Sequence, residues 1–152
     1  MPRVSRETVE SFLASDAFAV IGVSADRKKF GNVVYRTMKE KHAEVYPVHR
    51  TLENVEGDVC YRNVAALPAN VHSVVTVVPP AVTASVVKEC AARGITHIWM
   101  QPGSESKEAL AEAGKAGMQA IAGECILMFL EPVKSIHKFH RFVKKVVGSY
   151  PK

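Results

Sequence analysis

Residues 17–32 read Ala17-Phe18-Ala19-Val20-Ile21-Gly22-Val23-Ser24-Ala25-Asp26-Arg27-Lys28-Lys29-Phe30-Gly31-Asn32, and this stretch decides the fold. The apolar run Ala17–Val23 carries no charge and turns at Gly22, as a strand buried on both faces does. A polar loop follows, with three consecutive cations at Arg27, Lys28 and Lys29. Phe30-Gly31-Asn32 then leads into a helix predicted over 33–41. Working outward, a first helix is predicted from Ser5, a residue able to cap, to Leu13. Further strands are predicted over 44–48, 73–78, 96–100 and 118–122, with a short edge strand over 58–61. Helices are predicted over 82–93, ending at Gly94, and from a capping Ser104 to Lys115.

Strands alternate with helices and the connections are short. That pattern predicts an α/β fold: a Rossmann-like, doubly wound parallel sheet in a single three-layer domain. The chain of 152 residues, 47% apolar and 23% charged, suits one domain over 1–132. The net charge of +5 is unevenly placed. Residues 1–132 hold 14 basic and 15 acidic side chains, while 133–152 hold six basic ones and no acid. Ile136, Phe139, Val143 and Val146 recur at helical spacing there, so a basic amphipathic C-terminal helix is expected on or beyond the domain. Neither a recognition motif nor an aromatic platform accompanies it, so a nucleic-acid partner is not expected. No run is long enough to span a bilayer, and the N-terminus lacks the apolar centre of a signal peptide. Cys60, Cys90 and Cys125 are odd in number and widely spaced, which reads as reduced thiols in a cytoplasmic protein rather than a disulfide or zinc framework. No metal site is expected.

Ligands of open parallel sheets bind beyond the carboxyl ends of the strands, where the strand order reverses. The candidate site therefore comprises Gly22, Val23, Ser24, Ala25, Lys28, Lys29, Phe30, Gly31 and Asn32 after the first strand, and Val48, His49 and Arg50 after the second. Pro79 and Pro80, then Met100, Gln101, Pro102 and Gly103, and finally Cys125 complete it at the later strand ends. Gly22 permits a sharp turn, and the helix opening at Gly31-Asn32 offers N–H groups to an anion. G-x-G-x-x-G is absent, and His49-Arg50 stand where a ribose-binding acid would be in an NAD site. An arginine there suits a phosphorylated ribose instead, as in NADP or coenzyme A.

Five segments in order resemble one family: Val20-Ile21-Gly22-Val23-Ser24, the basic loop with Gly31, Val45-Tyr46-Pro47-Val48-His49, Val77-Val78-Pro79-Pro80, and Trp99-Met100-Gln101-Pro102-Gly103. They are similar to the small single-domain CoA-binding proteins, and to the N-terminal domain of the succinyl-CoA synthetase alpha subunit. The resemblance covers roughly residues 12–132. It implies coenzyme A or an acyl-CoA as ligand, with Gly22, Val23, Ser24 and Ala25 at the diphosphate turn. It further implies a CoA contact at His49 and Arg50, and pantetheine-side contacts at Met100, Gln101 and Pro102. The synthetase's second domain, with its phosphorylated histidine, has no counterpart here, so ligase activity is not implied. No catalytic constellation is visible: none of the hydrolase, zinc-protease or P-loop patterns occurs. Binding without chemistry is therefore expected. Cys125 is read either as a small core residue or as a thiol able to exchange with that of CoA. The alternatives are an NADP- or other nucleotide-dependent enzyme using His49, Glu124 or Cys125, and an interaction protein acting through the basic tail. A homodimer is left open.

Overall fold

The computed structural model describes residues 4–130. The tail helix expected over 133–152 lies outside them. Helix α1 (Arg6–Leu13) is capped by Ser5, whose hydroxyl accepts from the Thr8 N–H at 3.1 Å. Strands β1 (Ala17–Ile21) and β2 (Glu44–Val48) flank helix α2 (Phe30–Lys41). A two-residue hairpin, β3 (Asn54–Val55) and β4 (Asp58–Val59), comes next. Strand β5 (Ser73–Thr76), helix α3 (Pro80–Arg93), strand β6 (His97–Met100), helix α4 (Lys107–Lys115) and strand β7 (Gln119–Ile121) complete the alternation.

The main sheet has the order β2-β1-β5-β6-β7, and every pairing is parallel. The chain moves outward from β1 to β2, then returns across it to β5, so the order reverses between β1 and β5. Alternate residues of the strands feed two separate cores. Ala17, Ala19, Ile21, Val74, Ile98 and Met100 pack with Val87 and Cys90 of α3 and with Ala109 and Ala113 of α4. Phe18, Val20, Val75, Trp99 and Ile121 pack with Phe12 of α1 and with Val34, Tyr35 and Met38 of α2. Both faces are thus covered, which is why the strands read as unbroken apolar runs. Phe12 meets Trp99 edge-on at 5.3 Å between centroids, which fastens α1 to the far half of the sheet. Among the described residues no helix is long and apolar enough to cross a membrane.

Several boundaries differ from the sequence expectation. Helix α2 begins at Phe30 instead of 33, with Lys29 at its N-cap position and no side-chain cap. Helix α4 begins at Lys107, capped by Ser106 accepting from the Ala109 N–H at 3.0 Å. Ser104 is therefore not a cap. It is buried, and its hydroxyl donates to Thr76 Oγ1 at 2.9 Å while Thr83 Oγ1 donates to its carbonyl at 2.6 Å. The edge segment expected over 58–61 divides in two. Asp58 and Val59 pair back on the hairpin, whereas Tyr61 bridges in parallel to Val48.

Candidate functional site

The loop after β1 is built on two glycines nine residues apart. Gly22 has φ +125, and a Cβ there would run into the Val77 carbonyl. A Cβ on Gly31 would run into the Gly22 carbonyl. Between them they let the start of α2 touch the end of β1, the close helix–strand approach that a dinucleotide fingerprint obtains from its last glycine. Asn32, 1% exposed, then staples the loop: its Oδ1 accepts from the Ser24 N–H at 2.7 Å and its Nδ2 donates to the Ser24 carbonyl at 2.8 Å. Ser24 Oγ in turn accepts from the Asp26 N–H at 3.0 Å, and Asp26 Oδ1 accepts from the Lys28 N–H at 2.9 Å. Ala25, Lys28, Lys29 and Phe30 remain exposed at the tip, while Val23 is buried and Gly22 half-buried.

Beside this loop, at the ends of β1, β2 and β5, lies a cavity of about 350 Å³. Ile21, Val48, Val64, Val78, Val82 and Val86 make its apolar surface, and His49, Arg50, Thr51, Arg62, Asn63 and Glu89 its polar one. His49 organises the turn after β2, because its Nδ1 accepts from the backbone N–H groups of Thr51 at 3.1 Å and Leu52 at 3.2 Å. The neutral ring then carries its proton on Nε2. Apolar walls with a few convergent polar groups, two of them guanidinium, suit a flat organic body bearing an anion.

Of the residues singled out in the sequence, Val48, His49 and Arg50 line this cavity. Gly22–Asn32 form the loop that follows β1, and none of them lines the cavity. Pro79 and Pro80 stand exposed at the start of α3. The remaining group is arranged differently. Met100 is fully buried in the core. Gln101 is 1% exposed, and its amide is used internally: Oε1 accepts from the Ile126 N–H at 2.8 Å, and Nε2 reaches Cys125 Sγ at 3.3 Å. Pro102 and Gly103 are exposed and Cys125 is half-buried. Any ligand contact from Met100–Gln101 therefore falls to their backbone.

Arg62, Asn63, Val64 and Glu89 were not foreseen. The signal for the first three was present, since they follow the segment expected as an edge strand and thus sit at a strand end. Glu56 was also missed. It occupies the β3–β4 turn with φ +53, a left-handed conformation costing a non-glycine residue roughly 1–2 kcal/mol. Its side chain is only 5% exposed, and Arg27 Nε donates to it at 2.8 Å, Arg36 Nη1 at 2.7 Å and Asn32 Nδ2 at 3.3 Å. Burial alone would raise the carboxyl's pKa. The donors from Arg36, Asn32 and Arg27 outweigh it and hold the group below the ordinary glutamate value.

The other thiols are poor nucleophiles. Burial raises the pKa of Cys60, and pushes that of Cys90 up to about 12. Among the described residues no three His, Cys, Asp or Glu side chains gather as a metal site.

The sequence profile described as "CoA binding domain" matches residues 16–131. Subunit alpha of the ADP-forming acetate–CoA ligase II of Pyrococcus furiosus is 30% identical over 129 residues, covering 78% of this chain. The chain spans 28% of that subunit's length. A solved conserved hypothetical protein from Pyrococcus furiosus is 39% identical, with a TM-score of 0.69 over 72% of this chain and 95% of its own. A hypothetical protein from Pyrococcus horikoshii OT3 is 25% identical, with a TM-score of 0.78 over 87% of this chain and 94% of its own.

Proposed function

This chain belongs to the CoA binding domain family, and from that premise we propose that it holds coenzyme A or an acyl-CoA non-covalently and performs no chemistry alone. The cavity at the switch point, apolar within and rimmed by Arg50 and Arg62, is the observation that carries the reading. The nucleotide end lies over the β1, β2 and β5 ends. Its phosphates are met by the start of α2, by Lys28 and Lys29, and by the two guanidinium groups. The pantetheine runs towards Pro79-Pro80 and the exposed Pro102-Gly103 turn, with Cys125 at its far side. The module, residues 1–132 with a basic amphipathic tail over 133–152, works in the cytoplasm as a carrier or sensor of CoA thioesters. Its relationship to a ligase subunit fits a domain whose catalytic partners lie elsewhere.

A thermal-shift panel of CoA, acetyl-CoA, NAD, NADP and FAD tests this. At a hundredfold excess over Kd, ligand binding stabilises by about 2.7 kcal/mol, a rise of roughly 5–11 °C in Tm. CoA and acetyl-CoA are expected to give that rise, and Arg50→Glu to abolish most of it. A shift with NADP alone favours the nucleotide-dependent enzyme, and no shift with CoA overturns the proposal.

A further inference from the structure

We infer that Glu56, on the β3–β4 turn, is a positioning residue that sets the phosphate-side loop for its ligand, an inference that rests on the coenzyme A reading above. The carboxylate ties that loop to the helix that follows it. Oε1 takes Arg27 at 2.8 Å from the loop itself. Oε2 takes Arg36 at 2.7 Å and Asn32 at 3.3 Å from α2. Arg36 also donates to the Arg27 carbonyl at 3.0 Å, so the basic stretch is tied by side chain and backbone alike.

The contact with Asn32 has a directional consequence. A carboxylate accepts only, so it selects the amide nitrogen of Asn32 to face it. That choice leaves Oδ1 to accept from the Ser24 N–H and lets Nδ2 reach the Ser24 carbonyl as well. The Ser24 N–H and carbonyl require the same orientation of the amide, so Glu56 reinforces the staple across Ser24. It also offsets one of the two charges of Arg27 and Arg36, while Lys28 and Lys29 stand exposed beside Arg27 at the loop tip. The left-handed backbone at this residue belongs to the two-residue hairpin turn, in which Glu56 and Gly57 both take positive φ.

Loop preorganisation lowers the ordering cost that binding must otherwise meet. The test uses the full chain with Glu56→Gln, which keeps the shape and removes the charge, and Arg27→Gln, whose side chain is 74% exposed. Calorimetric titration with CoA is combined with hydrogen exchange of the backbone amides of residues 23–29 and of β1 and β5 in the ligand-free protein. Glu56→Gln is expected to weaken CoA binding about tenfold. Loop amides should exchange faster, the β1 and β5 amides at the wild-type rate, and added CoA should restore loop protection. Arg27→Gln should give the same loop-confined pattern, more weakly. Wild-type affinity in Glu56→Gln overturns the inference while leaving CoA binding intact, as does faster exchange spread evenly over the strands. A wild-type chain that does not bind CoA overturns the reading beneath it.

Discussion

Asp58 illustrates how one side chain ties two elements together. Its Oδ2 accepts from Tyr35 Oη at 2.6 Å and from Lys39 Nζ at 2.7 Å, tying the β4 end of the hairpin to α2. Lys39, then Tyr35, hold the carboxyl below the ordinary aspartate value against the opposing effect of burial. Burial, joined by the same bond, pushes the Tyr35 phenol upward. A carboxyl depressed in the folded state binds fewer protons there than in the unfolded chain. Its contribution is complete above the unfolded value of about 3.9 and is lost as pH falls through the lower folded value. The wild-type Tm should therefore fall more steeply below about pH 4 than that of Asp58→Asn, read by thermal denaturation across pH. Parallel curves would contradict this role. Asp58 and Glu56 leave the hairpin at either side of Gly57, so two carboxylates fasten this two-stranded sheet to α2 and the loop before it.

Among the elements, the legible ones announce themselves locally. Ala17–Ile21 and Ser73–Thr76 are buried on both faces, so their apolar runs needed no context. The end of α3 was readable at Gly94, which stands at its C-cap. The start of α2 was not. Its N-cap Lys29 supplies no side-chain hydrogen bond, and the first turn contains Gly31, chosen for its contact with Gly22 and not for helix propensity. Ser104 and Ser106 are equivalent in sequence as caps; only burial against Thr76 and Thr83 separates them. The Glu56 ion pairs join residues 20 and 29 positions apart with no periodic pattern between them, so no local reading reaches them. The strand-end logic did place Val48, His49 and Arg50 on the cavity, because topology alone fixes where those ends lie. Ser106→Ala should cost about 1 kcal/mol as a lost N-cap, measured by urea denaturation. No loss of stability would place the cap elsewhere.

For the whole molecule, the decisive feature is the reversal of strand order between β1 and β5. It sends α2 to one face and α3 to the other, and a crevice opens at the β1 and β2 ends against Val82, Val86 and Glu89 of α3. The His49 turn and the guanidinium groups of Arg50 and Arg62 line that crevice. A surface built this way should distinguish ligands by phosphate as much as by shape. Coenzyme A carries a ribose 3′-phosphate that dephospho-CoA lacks, and a charge-assisted hydrogen bond contributes about 1.5–3 kcal/mol. The most direct measurement is therefore a calorimetric titration of the wild-type chain with each of the two at low and moderate salt. Coenzyme A should bind one to one and at least about tenfold tighter than dephospho-CoA, the gap narrowing as salt screens the exposed charges. Equal affinities, or no heat with either, would contradict a crevice that recognises the phosphorylated nucleotide.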